Sequence, residues 1–202
     1  MDVEHGRRNS PGCDGRDTDH SVPADSVLRV TELLVRDARE SDLPEILAIH
    51  NNAIAETTAI WDTEPADLAE RQAWFATRIA AGYPVLVAEI DGAVAGYASY
   101  GQFRPKSGYR FSVENSVYVA DRFQRRGVAR TLMTELLERA RKGEVHAMIA
   151  AIETSNTVSI AMHEKFGFTI VGQLPEVGQK FGRWLDLTLM QITFDDGVAS
   201  QR

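Results

Sequence analysis

The stretch Val117–Arg130 carries the strongest chemical signal in the sequence, because an apolar segment enters a basic turn that opens a helix. The first amides of a helix have no partner within it, and the helix dipole adds positive potential at that end. Arg125, Arg126 and Arg130 add mobile positive charge. The small Gly127 lets a ligand approach the backbone closely. This pattern favours binding of an anion such as pyrophosphate.

The same turn has a plainer interpretation, a solvated arginine-rich helix start, which its spacing alone leaves open. Two other phosphate-binding patterns do not fit. No Gly-Lys-Ser/Thr follows the turn, as a Walker A loop requires, and the turn lacks the Gly-x-Gly-x-x-Gly of a dinucleotide site. The turn is therefore typical of an anion site of another class.

Two further residues have side chains suited to proton transfer. Glu114 lies early on the strand that enters the turn, and His163 lies on a later helix. A carboxylate whose pKa is raised by its environment can take a proton from an ammonium group, and histidine titrates in the useful range. Each residue alone also fits a plain structural role, Glu114 as an exposed strand carboxylate and His163 as a polar residue on a helix face.

Alternating strand and helix signals surround these residues and predict a mixed α/β domain with a central sheet. The predicted strands are Leu33–Val35, Val85–Ile90, Ala93–Tyr100, Phe111–Val119, Ala147–Ile152, Ile170–Val171 and Leu185–Ile192. The predicted helices are one that begins after Asp42, then Pro65–Ala81, Gly127–Lys142 and Thr157–Phe166. Asp91-Gly92 between two β-rich segments predicts a hairpin.

For the first two helices the sequence also predicts how the first begins and which side of the second faces inward. Asp42 and Glu45 are spaced as the two members of a capping box at the start of the first helix. In the second helix the apolar periodicity predicts that Leu68, Phe75 and Ile79 face inward.

Length and composition indicate one soluble domain with flexible ends. The chain has 202 residues, of which 44% are hydrophobic, enough for one sizeable core. Residues 1–30 are rich in polar residues without apolar periodicity and are predicted to be a disordered tail. The domain is predicted to span residues 31–195, and residues 196–202 to form a short mobile tail.

Net charge, apolar segments and cysteine content limit the binding partners and the cell compartment that we expect for this protein. The net charge of −7 argues against a sequence-tolerant nucleic-acid binder, which needs a basic surface. The sequence lacks an apolar segment of membrane-spanning length and the apolar core of a signal peptide, so we expect no membrane partner and no secretion. The single cysteine, Cys13, cannot form an internal disulfide, which fits a reducing cytoplasm.

Two blocks of this sequence resemble the GNAT acetyltransferases. Gln124–Ala129, read Gln-Arg-Arg-Gly-Val-Ala, resembles the superfamily signature Gln/Arg-x-x-Gly-x-Gly/Ala. Asn156–Phe168, with Ser159 and His163, resembles the downstream cofactor motif. The resemblance implies the GNAT acyltransferase fold, in which a mixed, mostly antiparallel twisted sheet is flanked by helices. It also implies that acetyl-coenzyme A lies in the splay between two central strands.

The resemblance further assigns the parts of that co-substrate to residues of this chain, with no metal. The turn is implied to hold the pyrophosphate, the strand before it to pair with the pantetheine arm, and the second block to flank the arm and thiol. The implied cofactor-binding residues are Val117, Tyr118, Val119, Arg125, Arg126, Gly127, Val128, Ala129, Arg130, Asn156 and Ser159.

Over about Val35 to Phe194 the chain is similar to one branch, the phosphinothricin and methionine sulfone or sulfoximine N-acetyltransferases. Histidine stands at position 163, as in this branch, where many other relatives carry tyrosine. The branch implies acetyl transfer to the α-amino group of a small amino-acid-like molecule. It implies Glu114 as general base and His163 as second base or proton relay. Relatives commonly form homodimers, so we expect one here.

A carboxylate-bearing acceptor requires a cation in its pocket. Arg104, Lys106 and Tyr109 lie in a loop before the Glu114 strand, where Arg104 has the paired donors that clamp a carboxylate. The plainer interpretation is an exposed, solubilising loop. Trp61 lies in a segment that matches a pocket-lining stretch of the branch, and it fits a core residue equally well. We therefore expect the acceptor-binding residues to be Arg104, Lys106, Tyr109 and Trp61.

Two other functions remain open on the sequence alone. One is a protein or peptide N-acetyltransferase of the same fold, which needs an open groove. The other is a catalytically inactive sensor that binds acyl-coenzyme A, against which Glu114 and His163 argue.

Overall fold

One seven-stranded sheet organises residues 32–194, the part of the chain that the computed structural model describes. The tails predicted for residues 1–30 and 196–202 lie outside the described residues, so the domain boundaries stay a prediction. The strands are β1 Leu33–Asp37, β2 Val85–Ile90, β3 Ala93–Gln102, β4 Ser112–Val119, β5 Ala147–Glu153, β6 Thr169–Lys180 and β7 Arg183–Thr193. The helices are α1 Leu43–Glu56, α2 Leu68–Ala80, α3 Val128–Lys142 and α4 Thr157–Lys165.

The strands follow the order β1-β2-β3-β4-β5-β7-β6 across the sheet. All neighbouring pairs are antiparallel except β4 and β5, which run parallel. The predicted mixed, mostly antiparallel sheet flanked by helices is thereby confirmed. The hairpin predicted at Asp91-Gly92 is present, and both residues have the positive φ angles, 53° and 79°, that a tight hairpin turn requires.

The central parallel pair is short, and this opens the sheet. Ser112–Glu114 pairs with Ala147–Ile149, and beyond these residues β4 and β5 separate. Each strand stays attached to its outer neighbour instead. β4 pairs with β3 as far as Val119, and β5 pairs with β7 along its whole length. The result is a splay between the two central strands.

Helices cover both faces of this sheet because its strand residues alternate in direction. On one face α3 buries Leu132, Met133 and Leu136 against the sheet, and α4 packs at the same side. On the other face α1 packs Leu43 and Ile46 against the sheet, with Trp74 and Phe75 of α2 beside them. The gap between β4 and β5 therefore has α3 and α4 on one face of the sheet and α1 and α2 on the other. Within residues 32–194 no helix is long and apolar enough to cross a membrane.

The capping box predicted for α1 is wrong. Asp42 already has helical backbone angles, and its carboxylate accepts hydrogen bonds from the Arg36 guanidinium and the Arg39 amide, both at 2.7 Å. Glu45 accepts from the backbone amide of Val94 at 3.2 Å. Partners in the tertiary structure have thus replaced the local cap.

The inward face predicted for α2 is wrong in part. Phe75 is partly buried as predicted, but Leu68 and Ile79 are 41% and 51% exposed. The side chain turned deepest into the protein is that of Arg71, which is 7% exposed. The inward face of α2 therefore combines Trp74 and Phe75 with Arg71 and Arg78, and apolar periodicity detects only the first pair.

β6 is far longer than the two residues Ile170–Val171 that the sequence predicted. It forms the edge strand of the sheet and most of its side chains are exposed, so apolar alternation marks only its start. Lys180 at its end is buried, and its ammonium group donates to the carbonyl oxygens of Thr57 and Ile60. This bond fastens the β6–β7 hairpin to the segment that follows α1.

Candidate active site

The splay forms a cleft of about 500 Å³, including its open mouth. β4 and β5 supply its two walls, and the first turns of α4 border it. The lining residues are Ala59, Asn115, Ser116, Val117, Tyr118, Ala150, Ala151, Ile152, Glu153, Asn156, Ser159, Met162 and His163. Of the predicted cofactor-binding residues, Val117, Tyr118, Asn156 and Ser159 thus come together here, and Val119 ends the same strand.

One edge of β4 faces this cleft without a neighbouring strand. Among the described residues, the pairing of β4 with β5 ends at Glu114 and Ile149. The remaining peptide groups on that edge, from Asn115 to Val119, are placed to bind an extended ligand that carries its own amides, as an added strand would. The pantetheine arm of coenzyme A is such a ligand.

The turn between β4 and α3 has an unusual backbone. Arg125 has a φ of 61° and Gly127, the N-cap of α3, has a φ of 83°. Residues in the left-handed region between right-handed or extended ones turn successive amides toward one concave side, which is a common anion-binding arrangement. Glycine adopts this conformation freely, whereas it costs arginine about 1–2 kcal/mol. Such strain is found mostly at functional sites.

The side chains of the turn differ in their exposure to solvent. Val128 is buried in the core below α3, so its contribution to a ligand is its backbone amide. Arg125, Arg126 and Arg130 are exposed, as is Gly127, and Ala129 is half-buried. A phosphate at the helix start therefore meets backbone donors that are fixed and guanidinium groups that can adapt to it.

Histidine 163 lies at the inner part of the cleft and is only 4% exposed. Its Nδ1 atom lies 2.8 Å from the carbonyl oxygen of Ser159, which can only accept, so Nδ1 carries the hydrogen. Nε2 lies 3.1 Å from the amide nitrogen of Asn115 and accepts from it. Burial lowers the pKa of His163, with an opposing effect from the Ser159 bond. Burial thus favours the neutral imidazole, and the two contacts are consistent with the tautomer that carries its hydrogen on Nδ1.

Glu114 lies at the inner end of the splay, in the last residue pair that joins β4 to β5. It is half-buried, and its side chain points to the face of β4 opposite to that of Asn115. Burial raises the pKa of the Glu114 carboxyl, and the positive charges of Arg104 and Arg78 partly oppose this. Glu114 and His163 thus reach the same end of the cleft from the two faces of the sheet.

The predicted acceptor residues lie in two places. Arg104 is exposed, and its guanidinium stands 4.8 Å from the ring of Phe103 and acts electrostatically on Glu114. The ring of Tyr109 lies 5.8 Å from that of Phe103, in the same loop, and Lys106 is exposed beside them. This loop therefore adjoins the inner end of the splay.

Trp61 lies apart from this loop, between the segment after α1 and the β6–β7 hairpin. Its indole donates to the carbonyl oxygen of Thr58 at 2.9 Å, and its ring occupies the space where a Cβ on Gly178 would stand. Trp61 therefore packs the β6–β7 hairpin against the segment after α1, next to Ala59 of the cleft.

Several residues of the site escaped the sequence analysis. Asn115 stands between two residues of a recognised motif, and strand alternation could have placed it on the face of α4. Glu153 is buried at the cleft and accepts from Thr58 at 3.1 Å, which only the tertiary fold could reveal. Arg71 and Arg78 lie seven residues apart, a spacing that places both on one face of a helix.

Comparison with known proteins agrees with this geometry. A sequence profile of the Acetyltransferase (GNAT) family matches residues 46–168. The L-methionine sulfoximine/L-methionine sulfone acetyltransferase of Pseudomonas aeruginosa is 56% identical over 162 residues, which cover 80% of this chain and 94% of that protein. A ribosomal-protein-alanine N-acetyltransferase structure from Brucella melitensis is 53% identical, with a TM-score of 0.79, and the match covers 80% of this chain and 100% of that one.

A third similar protein was solved with a ligand. The phosphinothricin acetyltransferase of Sinorhizobium meliloti, in complex with acetyl-coenzyme A, is 35% identical with a TM-score of 0.81. The match covers 84% of this chain and 92% of that one. Within residues 32–194 there is no cluster of three or more histidine, cysteine or carboxylate side chains that could hold a metal ion.

A splayed mixed sheet with a basic turn and a helix start at the mouth of its cleft fits an acyltransferase that uses an acyl thioester. The profile match and the close relatives then identify the family. The chain belongs to the GNAT acetyltransferases and is an N-acetyltransferase.

Gly127→Ala tests the turn. Alanine at a φ of 83° is strained by about 1–2 kcal/mol, so the free turn is expected to relax and binding must restore it. We expect the Kd for coenzyme A, measured by calorimetry, to rise about five- to thirtyfold. Gly172→Ala is the control, because Gly172 has open space around it and no positive φ. An unchanged Kd for Gly127→Ala would exclude the turn from binding.

Proposed function

We propose that the protein transfers the acetyl group of acetyl-coenzyme A to the α-amino group of a small amino-acid-like acceptor. The acceptor is of the phosphinothricin, methionine sulfone or methionine sulfoximine type. The observation that carries this proposal is the half-buried Glu114, with its raised pKa and two nearby arginines, at the inner end of the splay. The names of the relatives from Pseudomonas aeruginosa and Sinorhizobium meliloti support the acceptor class.

The two ends of the cleft suit the two ends of the co-substrate. The diphosphate is assigned to the turn at Gly127, and the pantetheine arm to the free edge of β4. From Val119 back to Glu114 the strand spans about 17 Å at 3.4 Å per residue. That length accommodates an extended pantetheine arm, so the thioester would lie toward the Glu114 end of this edge.

Acetyl-coenzyme A supplies an acetyl thioester that a neutral amine can attack directly, so no covalent enzyme intermediate is needed. The new C–N bond replaces the C–S bond, and coenzyme A leaves as a thiolate that takes up one of the two protons released from the ammonium group. An amino acid arrives as an ammonium ion. Glu114 accepts one of its protons, because burial has raised the pKa of the carboxyl toward the working pH. The backbone amide of Val117, which points to the free edge of β4, orients and polarises the thioester carbonyl, whereas the amide of Tyr118 points to β3.

His163 serves as the second base or proton relay. Its buried, neutral ring is held by Ser159 on Nδ1 and by Asn115 on Nε2. A neutral imidazole is a proton acceptor and not an acid, so its role is to pass on a proton released at the amine. To do so, Nε2 exchanges the Asn115 amide for a donor in the cleft.

A substrate panel tests the proposal. With acetyl-coenzyme A, release of free thiol is measured for methionine sulfone, methionine sulfoximine, phosphinothricin, the common amino acids, and a peptide with N-terminal alanine. We expect turnover of the first three compounds. Turnover of the peptide alone would support the protein N-acetyltransferase that the Brucella melitensis relative's name suggests. Cofactor binding without turnover of any amine would make the protein a sensor.

Glu114→Gln tests the base. Turnover is expected to fall at least about 100-fold, while the Kd for coenzyme A stays unchanged. For the native enzyme kcat/KM should fall as the pH drops through the raised pKa of Glu114, because the protonated carboxyl cannot accept a proton. That dependence should disappear in the variant. Glu138→Gln, on the exposed side of α3, serves as the control. Unchanged turnover in Glu114→Gln would remove Glu114 from the mechanism.

We also propose that the protein forms a homodimer through the β6–β7 hairpin. The hairpin exposes Ile170, Val171, Val177, Phe181 and Trp184, which are 49–61% exposed. Exposed apolar side chains are enriched at protein interfaces.

Sedimentation velocity tests the dimer. We expect a mass of twice 22.4 kDa for the native chain. The double variant Phe181→Asp and Trp184→Asp should sediment as a monomer. A native monomer, or a dimer that persists in the variant, would contradict this interface.

We further propose a cytoplasmic location, supported by the requirement for acetyl-coenzyme A, a metabolite of the cell interior. Fractionation of cells tests it, and recovery of the protein outside the cytoplasmic fraction would contradict it.

A further inference from the structure

The face of α2 that turns toward the sheet carries two arginines with no carboxylate partner among residues 32–194. Arg71 is 7% exposed and Arg78 is half-buried, and they stand about 10.5 Å apart along the helix. The Nε atom of each is buried without a hydrogen-bond partner. Neither guanidinium belongs to an ion pair with any side chain in residues 32–194.

Removing an arginine from water without a compensating anion is unfavourable, so such a residue needs another source of stabilisation. For Arg71 the structure provides one, since its guanidinium lies 4.5 Å from the centre of the Trp74 ring. Arg78 has no aromatic partner of this kind among the described residues.

Arg78 is instead seated on the backbone of β3. Its guanidinium occupies the place where a Cβ on Gly101 would stand, so only glycine at position 101 leaves room for it. Gly101 is the direct cross-strand partner of Glu114 on β4. Side chains of direct partners lie on the same face, about 5 Å apart at Cβ. The guanidinium therefore lies on the sheet next to the side chain of Glu114.

The two charged groups are close, but they do not pair. Within the described part of the chain, no nitrogen of Arg78 comes within 4.0 Å of a Glu114 oxygen, although the charge of Arg78 acts on that carboxyl. A half-buried cation beside an anion, with a gap between them, is complementary to a molecule that carries both charges on neighbouring atoms. An α-amino acid bears its ammonium and its carboxylate on one carbon.

We propose that Arg78 is an acceptor-binding residue that holds the α-carboxylate of the amino acid while its ammonium group faces Glu114. This inference rests on the proposed function and deepens it, since it makes a free α-carboxylate part of what the enzyme recognises. Arg104, which is exposed and whose charge also acts on Glu114, is then available for the polar end of the acceptor side chain. Gly101 is the positioning residue that lets the guanidinium reach the sheet.

The test compares methionine sulfone with its carboxamide, which keeps the amine and side chain and lacks the carboxylate. For Arg78→Met we expect kcat/KM for the acid to fall about 10- to 100-fold, mostly through KM, with little change for the carboxamide. A change in the pKa of Glu114 would affect both acceptors alike, so their ratio isolates the carboxylate contact. Arg78→Lys should recover part of the preference, because lysine keeps the charge but not the paired donors.

Gly101→Ala provides a second, independent variant. It keeps the arginine and displaces its guanidinium, so it should lower the preference for the acid in the same way. Arg141→Met, which removes a remote exposed arginine of α3, is the matched control and should leave the ratio unchanged. Thermal unfolding of each variant reports on folding.

Calorimetry of the acid and the carboxamide, on protein loaded with coenzyme A, separates this inference from the proposed function. If the native protein binds methionine sulfone but does not acetylate it, the proposed function fails, and loss of the binding preference in Arg78→Met still supports the role of Arg78. If the native protein binds neither compound, both fail. An equal loss for acid and carboxamide, or no loss in a folded Arg78→Met variant, would overturn the role of Arg78 alone.

Discussion

The short pairing between the two central strands is the constraint on which the rest of the structure depends. β4 and β5 pair over three residue pairs and then diverge, because each is held along its length by its outer neighbour. A sheet normally satisfies the peptide groups of an inner strand with another strand. Here the inner edge of β4 is left for a ligand, and the same divergence creates the cleft. The turn at Gly127 and the proposed base Glu114 stand at its two ends.

Positive side chains lie at both ends of this cleft, although the whole chain has a net charge of −7. The mouth carries the exposed Arg125, Arg126 and Arg130, and the inner end is flanked by Arg78 and Arg104. An acidic protein with cations gathered at a single cleft is suited to small anionic ligands, because local potential decides binding at short range. Both substrates in the proposed reaction carry negative charge, one as phosphates and the other as a carboxylate. The same distribution is poorly suited to a long polyanion.

Most of the fold was predictable because its signals are local. The Asp91-Gly92 hairpin follows from sequence, as do the helix after Gly127 and the order of strands and helices. The failures share a physical cause, which is that tertiary partners override local patterns. Glu45 bonds to a strand amide and caps nothing locally, and α2 turns arginines inward over a polar site. For the site, the sequence could place His163 on its helix, but its neutral state depends on contacts that only folding creates.

The central claim, that the free edge of β4 and the start of α3 hold coenzyme A, is tested most directly by amide hydrogen exchange. Exchange is measured on the native protein with and without saturating coenzyme A. The account predicts that binding slows exchange at Val117, Val119 and Gly127–Arg130, with little change on the remote strand β1. Binding that leaves these amides as fast as in the free protein, or that protects another surface instead, would contradict it.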